Sequence, residues 1–395
     1  MAFAIGSNDV ANTMGTAVGS RSISIRNAII LAAIFEGLGA FLAGSQVTES
    51  VRGQFFSLSY FSDQPMVLVI GMLSALLASG IWLILATRYG WPVSTTHSII
   101  GSLLGFALMT VPHNINFVFF QNVTVVWLIA PLIAVVFSYL LMKMMVKQLF
   151  NQIDPLRSAQ KVLPVYLFII TYVIYSMIVF HGLWALSWYS VSLGLMISTI
   201  SVFVYKRYEV NIMSHTKMDP YQRIEYVFTI FTVLTAGMMA FSHGSNDVAN
   251  AIGPVATVLD ALYRPDYLVG NHVTVVPWYL LALGAIGIVS GLAIYGYRII
   301  ETVGKKITYL SPSRSFCAQL STSIIVMIAS YFGFPVSTTQ ILVGAIVGVG
   351  FARGIAALNF DVVKGIFMSW VITLPAGALI TICIFKTMTL VGWML

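Results

Sequence analysis

The heptapeptide Gly-Ser-Asn-Asp-Val-Ala-Asn occupies residues 6–12 and returns unchanged at residues 244–250. A second motif, Pro-Val-Ser-Thr-Thr, occupies residues 92–96 and returns at residues 335–339, and a glycine and an aromatic residue precede each copy. The offsets between copies are 238 and 243 residues, so both pairs belong to one duplication with small insertions or deletions. The sequence therefore contains an internal repeat that covers most of the chain.

The composition indicates that the outer surface faces lipid. Of the 395 residues, 58% are hydrophobic and only 8% are charged, with a mean hydropathy of +0.91. Soluble domains carry about 25% charged residues, so this chain lacks the polar side chains to cover a water-facing surface. The net charge of +7 does not indicate nucleic-acid binding, because the basic residues lie in short loops without interleaved aromatic residues. Cys317 and Cys383 lie far apart in apolar runs and are interpreted as packing residues.

Apolar runs of about 20 residues are long enough to cross a bilayer. An interrupted apolar stretch covers 226–262, and a short one opens the chain at 1–18. The other runs lie at 27–47, 66–87, 92–111, 122–142, 163–181, 183–205, 277–297, 316–332, 335–352 and 365–385. We therefore expect an all-α integral membrane protein with about 11–12 transmembrane segments.

The distribution of lysine and arginine predicts the orientation of these segments, because cytoplasmic loops are enriched in both. If the basic loop at 143–161 is cytoplasmic and each run crosses once, every basic residue is cytoplasmic except Arg52, Arg264 and Lys386. The segments that follow the two copies of the heptapeptide then end on opposite sides of the membrane. This arrangement is the inverted-topology repeat of many secondary transporters.

The repeat divides the chain into three parts. We expect a first inverted repeat at 1–121, linking transmembrane segments with a short cytoplasmic loop at 122–225, and a second inverted repeat at 226–395. Only Met1–Ile5 precede the first heptapeptide, whereas a full apolar run precedes the second. The first span is therefore expected to be truncated relative to its counterpart.

Asp9 and Asp247 are the candidate centre of a cation site. A carboxylate in an apolar segment is costly to bury and indicates function, and the duplication supplies one in each repeat. The neighbouring glycine and serine favour an unwound backbone, so we expect helices that are broken at the midplane and carbonyl oxygens that can bind a cation. Sodium and other hard cations take oxygen ligands. The amide ligands predicted beside the two aspartates are Asn8, Asn12, Asn246 and Asn250.

The second motif predicts an anion site. Proline suits the first turn of a helix, and the free backbone amides of that turn bind anions together with hydroxyl groups. Two such turns from opposite repeats would meet at the midplane and hold a tetrahedral oxyanion without an arginine, beside Asp9 and Asp247. The predicted hydroxyl ligands are Ser94, Thr95, Thr96, Ser337, Thr338 and Thr339.

Several polar residues near the motifs break the symmetry of the repeat. Glu36 lies in the middle of an apolar run without a counterpart, and it is interpreted as a coupling or gating carboxylate or as a structural one. His243 precedes the second heptapeptide where Ile5 precedes the first, and is interpreted as a local hydrogen-bonding residue. His97 and Gln340 follow the two triplets, which argues against a shared catalytic histidine. Glycines at four-residue spacing after the triplets are interpreted as helix-packing positions: Gly101, Gly105, Gly344 and Gly348.

The paired motifs resemble those of the inorganic phosphate transporter (PiT) family of cation-coupled symporters, and the resemblance extends over nearly the whole chain. It implies a twelve-span inverted-repeat fold, inorganic phosphate as the substrate and sodium or protons as the co-substrate. It also implies a homodimer, which we expect in the plasma (inner) membrane with the basic loops in the cytoplasm. Carried over by position, Asp9, Asn8, Asp247 and Asn246 would build the cation and phosphate site, and the two triplets would hold the phosphate oxygens. We expect neither a cofactor nor an enzymatic activity.

Protonation favours phosphate over sulfate. Near neutral pH phosphate still carries a proton that it can donate to a carboxylate, whereas sulfate only accepts hydrogen bonds. Alternatives that remain open are a sulfate or other oxyanion permease of the same fold, a metal–phosphate complex as the transported species, and a passive anion channel. A remote alternative is an intramembrane aspartyl protease, in which two aspartates share a proton, although the Gly-x-Gly-Asp context of such proteases is absent.

Overall fold

The computed structural model describes residues 1–91, 93–182, 188–213, 218–264, 268, 276–306, 310–352 and 360–391. Within these residues the chain is almost wholly α-helical, and the one β-type pairing is an isolated bridge between Phe56 and Ile115. The α-helices of the described residues are α1 (Ala2–Gly19), α2 (Ile25–Ala43), α3 (Ser45–Gly53), α4 (Pro65–Arg88), α5 (Thr95–Thr110), α6 (Phe117–Met145), α7 (Pro155–Gly182), α8 (Trp188–Met213), α9 (Pro220–Tyr263), α10 (Trp278–Lys306), α11 (Pro312–Tyr331), α12 (Thr338–Phe351) and α13 (Phe360–Leu390).

Eight of the described helices are long and apolar enough to cross a membrane, namely α2, α4, α6, α7, α8, α9, α10 and α13. Helices α5 and α12 are shorter and apolar. Helices α1 and α11 have 18 and 20 residues and carry many buried polar side chains. Every apolar run predicted from the sequence overlaps one of these helices. The all-α, multi-pass membrane fold is therefore confirmed.

The heptapeptide lies in continuous helix in both copies, so the predicted unwound backbone at this motif is wrong. Residues 6–12 belong to α1, and residues 244–250 lie inside α9, which runs without interruption for 44 residues. The glycine that opens each copy serves close packing instead. A Cβ atom on Gly6 would overlap the carbonyl oxygen of Ile288, and one on Gly244 would overlap that of Glu36. The helical breaks lie before the triplets, between α4 and α5 and between α11 and α12.

Equivalent helix pairs cross in the two halves of the molecule. Helix α1 of the first half packs on α10 of the second, and α2 of the first half packs on α9 of the second. At both crossings glycines remove the side chains that would separate the backbones. The contacts of these glycines are equivalent: Gly6 with Ile288, Gly291 with Phe3, Gly244 with Glu36, and Gly39 with Phe241. Ile288 therefore occupies the place in the second repeat that Glu36 occupies in the first.

The glycines after the triplets pack against helix backbones, which confirms their interpretation as packing positions. Their contacts are Gly101 with Leu374, Gly105 with Ala378, Gly344 with Pro131, and Gly348 with Val135. Helix α5 thus packs on α13, and α12 packs on α6 in the same way. This equivalence of α6 and α13 favours a first repeat that continues through α6, beyond residue 121. The division of the chain at residues 121 and 225 stays a prediction.

The two halves differ in the helix that follows the heptapeptide. In the first half the chain is interrupted at Gly44 between α2 and α3, where the glycine approaches Val248. In the second half Gly296 approaches the equivalent Val10, but it lies inside the uninterrupted α10. The repeat is therefore symmetric in its packing and asymmetric in its backbone course.

Arg52 pairs with Asp260 in the structure. Arg52 lies in the last turn of α3, and Asp260 lies near the end of α9. The charge distribution places Arg52 on the outer side, against the usual bias. The ion pair provides a local reason for a basic residue there, and the orientation itself stays a prediction.

Gly344→Ala is expected to lower the unfolding temperature of the purified protein in detergent. The new Cβ atom would lie 2.5 Å from the carbonyl oxygen of Pro131, and overpacking of this kind costs about 1–3 kcal/mol. Gly80→Ala in α4 is the matched control, because its Cβ atom would find no contact closer than 3.7 Å. The control should gain up to about 1 kcal/mol from helix propensity. Equal stability of the two variants would contradict the packing role.

Candidate functional site

The two serine-threonine-threonine triplets form the first turns of α5 and α12. Ser94 is the N-cap of α5 and accepts a hydrogen bond from the backbone amide of His97 at 3.1 Å. Ser337 caps α12 and accepts from the amide of Gln340 at 3.3 Å. Serine is a preferred N-cap because its oxygen satisfies an amide that the helix leaves unpaired. The helices therefore begin after the serine. The prediction that proline opens the helix is wrong at Pro335, and Pro92 lies outside the described residues.

The second threonine of each triplet bonds the backbone of the opposite repeat. Thr96 Oγ1 donates to the carbonyl of Val336 at 2.9 Å, and Thr339 Oγ1 contacts the carbonyl of Val93 at 3.5 Å. Thr338 is buried at the place equivalent to Thr95. The structure thus brings the two helix N-termini face to face, as the repeat predicted.

The second asparagine of each heptapeptide also reaches across the repeat. Asn12 Nδ2 lies 2.7 Å from Thr339 Oγ1, and Asn250 Nδ2 lies 3.3 Å from Thr96 Oγ1. Asn12 also donates to Asp9 Oδ1 at 2.9 Å. These contacts join the predicted cation motif to the predicted anion motif in one buried cluster.

The two aspartates lie at the centre of this cluster and are fully buried. Thr95 Oγ1 donates to Asp247 Oδ2 at 2.9 Å, so a triplet of the first repeat contacts a carboxylate of the second. His243 Nε2 lies 3.0 Å from Asp247 Oδ2 and 3.5 Å from Asp9 Oδ2. The ligand atoms of the three residues lie within 4.8 Å of one another, a spacing at which they could hold one cation.

Glu36 joins the site through the same histidine. Its Oε1 lies 3.5 Å from His243 Nδ1 and accepts a hydrogen bond from Thr13 Oγ1 at 2.9 Å. His243 is the residue that contacts all three carboxylates, a role that the sequence pattern did not predict. Its four-residue spacing from Asp247 was the available signal, because that spacing places two side chains on one helix face. An unwound backbone would not place His243 and Asp247 on one face, so the prediction of unwinding did not bring the two residues together.

The first asparagine of each heptapeptide bonds residues that precede a triplet. Asn246 donates to Ser330 Oγ at 3.0 Å and to the carbonyl of Phe334 at 3.1 Å, and it accepts from the amide of Val336 at 3.2 Å. Asn8 donates to Thr87 Oγ1 at 2.9 Å. Asn246 therefore anchors the loop before the second triplet, whereas Asn8 bonds the last turn of α4. The cation role of Asn8 and Asn246 stays a prediction.

Comparison with known proteins agrees with the resemblance carried by the motifs. A family model described as the phosphate transporter family matches residues 5–381. The chain belongs to this family. A candidate phosphate permease of Haemophilus influenzae is 44% identical over 395 residues, which cover 98% of this chain and 93% of that protein. A chloroplastic inorganic phosphate transporter of Arabidopsis thaliana is 36% identical over 97% of this chain and 69% of its own length.

This chain has the same fold as a solved structure that is described as the sodium-dependent phosphate transporter. Its TM-score is 0.92 at 37% identity, over 99% of this chain and 96% of that one. The chain is thus a member of a transporter family and not an enzyme, and the aspartyl protease alternative is wrong.

Among the buried polar atoms of the site that lack a hydrogen-bond partner, carboxylate and amide oxygens outnumber ring nitrogens. Three ring nitrogens, of His97 and His243, are buried without a hydrogen-bond partner among the described residues. The buried carboxylate and amide oxygens in the same state are Asn8 Oδ1, Asp9 Oδ2, Glu36 Oε2, Asp247 Oδ1, Asn250 Oδ1 and Gln340 Oε1. Buried polar atoms are normally paired, so each exception calls for an explanation. A surplus of acceptor oxygens is the chemistry that binds hard cations.

Asn246→Ala is expected to lower the unfolding temperature of the purified protein in sodium-free buffer. It removes hydrogen bonds to the loop before the second triplet, and each buried group left unpaired costs about 1–3 kcal/mol. Asn8→Ala is the matched control with a smaller loss, because Asn8 donates one hydrogen bond, to Thr87. An Asn246 variant that keeps its stability without sodium, and loses only a sodium-dependent stabilisation, would contradict the anchoring role.

Proposed function

We propose that this chain is a secondary active transporter that moves inorganic phosphate across the membrane by symport with sodium. The observation that carries the proposal is the hydrogen bond from Thr95 to Asp247, which joins the triplet of one repeat to the carboxylate of the other. An anion between the two triplets would lie beside Asp9 and Asp247, within reach of Thr95, Thr96, Thr338 and Thr339. Ser94 and Ser337 would contribute mainly by capping the turns, which fixes the backbone amides that face the anion.

The buried carboxylates make cation coupling a physical expectation. Two like unit charges about 4 Å apart repel by about 4 kcal/mol at an effective dielectric constant of about 20, which corresponds to about a thousandfold in affinity. Cations bound by Asp9, Asp247 and the asparagine oxygens would remove that repulsion. Binding of the anion and binding of the cations would then favour each other reciprocally.

Sodium is the proposed co-substrate, and protons are the alternative. The acceptor oxygens of the site suit sodium, and a similar solved structure is described as sodium-dependent. The proton alternative has its own support in His243, because an imidazole between carboxylates can take up and release a proton. The site needs no cofactor for either mechanism.

Phosphate is the proposed substrate, and sulfate or another oxyanion is the alternative. The unpaired carboxylate oxygens of Asp9 and Asp247 can accept a hydrogen bond from the hydroxyl of a hydrogen phosphate ion. Sulfate has no such donor near neutral pH, so it would face these oxygens with repulsion alone. A metal–phosphate complex would also fit a site with surplus acceptor oxygens.

Glu36 is proposed as the coupling carboxylate. Ile288 is its counterpart in the other repeat and Ile5 is the counterpart of His243, so the polar pair exists at the crossing of α2 with α9 and an apolar pair stands at the equivalent crossing of α10 with α1. Both isoleucines are fully buried in the apolar core. An asymmetric charge beside a symmetric substrate site would set how many cations accompany each anion.

The protein is a multi-pass membrane protein, and we propose that it lies in the plasma (inner) membrane with its basic loops in the cytoplasm. A homodimer is proposed from the family resemblance. The large apolar side chains exposed on α6 and α8 suit either lipid or a second copy.

Replacing external sodium by potassium should abolish uphill accumulation of labelled phosphate in proteoliposomes. Removal of the cations that shield the aspartates restores the repulsion of about 4 kcal/mol. The measurement is phosphate uptake under a sodium gradient, a potassium gradient or a pH gradient. Uptake that follows the pH gradient would favour protons as the co-substrate. Flux that only follows the phosphate gradient would contradict the symport proposal and favour a passive channel.

Asp9→Asn and Asp247→Asn should each abolish sodium-coupled uptake and keep the fold, because asparagine retains the size of aspartate and loses its charge. Asp219→Asn is the matched control, because Asp219 caps α9 at an exposed site and asparagine caps as well as aspartate. Measured initial rates that stay normal in both site variants would refute the assignment.

Glu36→Gln should raise the sodium concentration needed for half-maximal uptake and lower the steady-state accumulation of phosphate. The change removes one negative charge next to His243 and keeps an acceptor for Thr13. Glu49→Gln in α3 serves as the control outside the site. Unchanged sodium dependence in the Glu36 variant would leave this carboxylate with a structural role only.

A further inference from the structure

His97 and Gln340 hold the same position in the two repeats and touch each other. Each follows its triplet directly, so each lies in the first turn of its helix. Gln340 Nε2 lies 3.4 Å from His97 Nδ1, and the two residues are 5% and 4% exposed. This contact joins the N-terminus of α5 to the N-terminus of α12, the two turns between which the anion is proposed to bind.

A second route joins the same two elements through Trp127 of α6. The His97 ring packs edge-on against the Trp127 ring, with centroids 4.0 Å apart. The Trp127 indole N–H donates to the carbonyl of Pro335 at 2.9 Å, in the loop that leads into α12. His97 is therefore held between Gln340 and Trp127, and both of these neighbours fix the second triplet relative to the first.

We propose that His97 and Gln340 are positioning residues that fix the separation of the two triplet turns and so set which tetrahedral oxyanion fits between them. The proposal rests on the proposed function, because it needs the anion to lie between these turns. Neither side chain has to touch the anion. Two rigid facing turns discriminate by the size of the bound ion, and a looser pair of turns accommodates a larger one.

Arsenate tests the separation of the two triplet turns without changing the charge of the bound ion. It carries the same charge and nearly the same protonation as phosphate near neutral pH, but its bonds to oxygen are longer. Sulfate is the second probe, because it tests recognition of the substrate proton. The measurement is competition by each ion against binding of labelled phosphate to purified protein with sodium in detergent, so that anion binding is scored without transport.

Gln340→Ala and His97→Ala should each reduce discrimination against arsenate relative to phosphate by about fivefold, the effect of one lost buried hydrogen bond. The ratio for sulfate should change little. The double variant His97→Gln with Gln340→His exchanges the two residues and should restore the ratio. The exchange keeps one amide and one imidazole at the contact between the two turns.

The outcomes separate cleanly. A lower unfolding temperature with unchanged discrimination in both alanine variants would overturn the proposal, because the pair would then be structural only. A changed sulfate ratio with an unchanged arsenate ratio would also overturn it, because it would indicate direct contact with the substrate proton. Wild-type protein that binds phosphate but does not accumulate it would contradict the proposed function, and the binding ratios would still decide the role of this pair.

Discussion

The burial of three carboxylates in the apolar interior is the constraint on which the rest of the structure depends. Asp9, Glu36 and Asp247 are fully removed from solvent, and within the described part of the chain His243 is the one basic group placed among them. Charge in such surroundings is costly unless it is paired or bound to cations. In the proposed function, oxygen-binding cations or protons offset this cost, and a substrate anion would enter only with them. Coupling would then follow from the cost of burial rather than from a separate device.

Close helix crossings make that burial possible. The glycines of α1, α2, α9 and α10 let backbones touch, so the heptapeptides of both repeats reach the centre. At the centre each repeat completes the other, because Asn12 bonds Thr339 and Asn250 bonds Thr96. Neither half contains a whole site. This mutual dependence explains why both motifs are duplicated together and in the same order.

The sequence predicted the fold far better than the local geometry of the site. The helical runs, the duplication and the gathering of the two motifs were all readable from pattern. A glycine beside a serine favours local unwinding, but Gly6 and Gly244 lie in continuous helix and allow close packing instead. The role of His243 could not be predicted with an unwound backbone, because its side chain aligns with Asp247 only if the backbone between them is helical. The sequence predicts a cation role for Asn246 from its residue type, and only the packing shows that this side chain bonds the loop before the second triplet.

By itself the sequence determined that the chain is a duplicated, all-α membrane protein, and it predicted a carboxylate and hydroxyl site without arginine. These properties follow from composition, from periodicity and from exact repetition, which can be read from the chain without knowing which segments are in contact. The tertiary structure alone decided that Glu36 of one repeat meets His243 of the other, that the helix breaks at Gly44 but not at Gly296, and that His97 meets Gln340. The reason is physical: each of these features depends on contacts between segments far apart in the chain, and only packing fixes them.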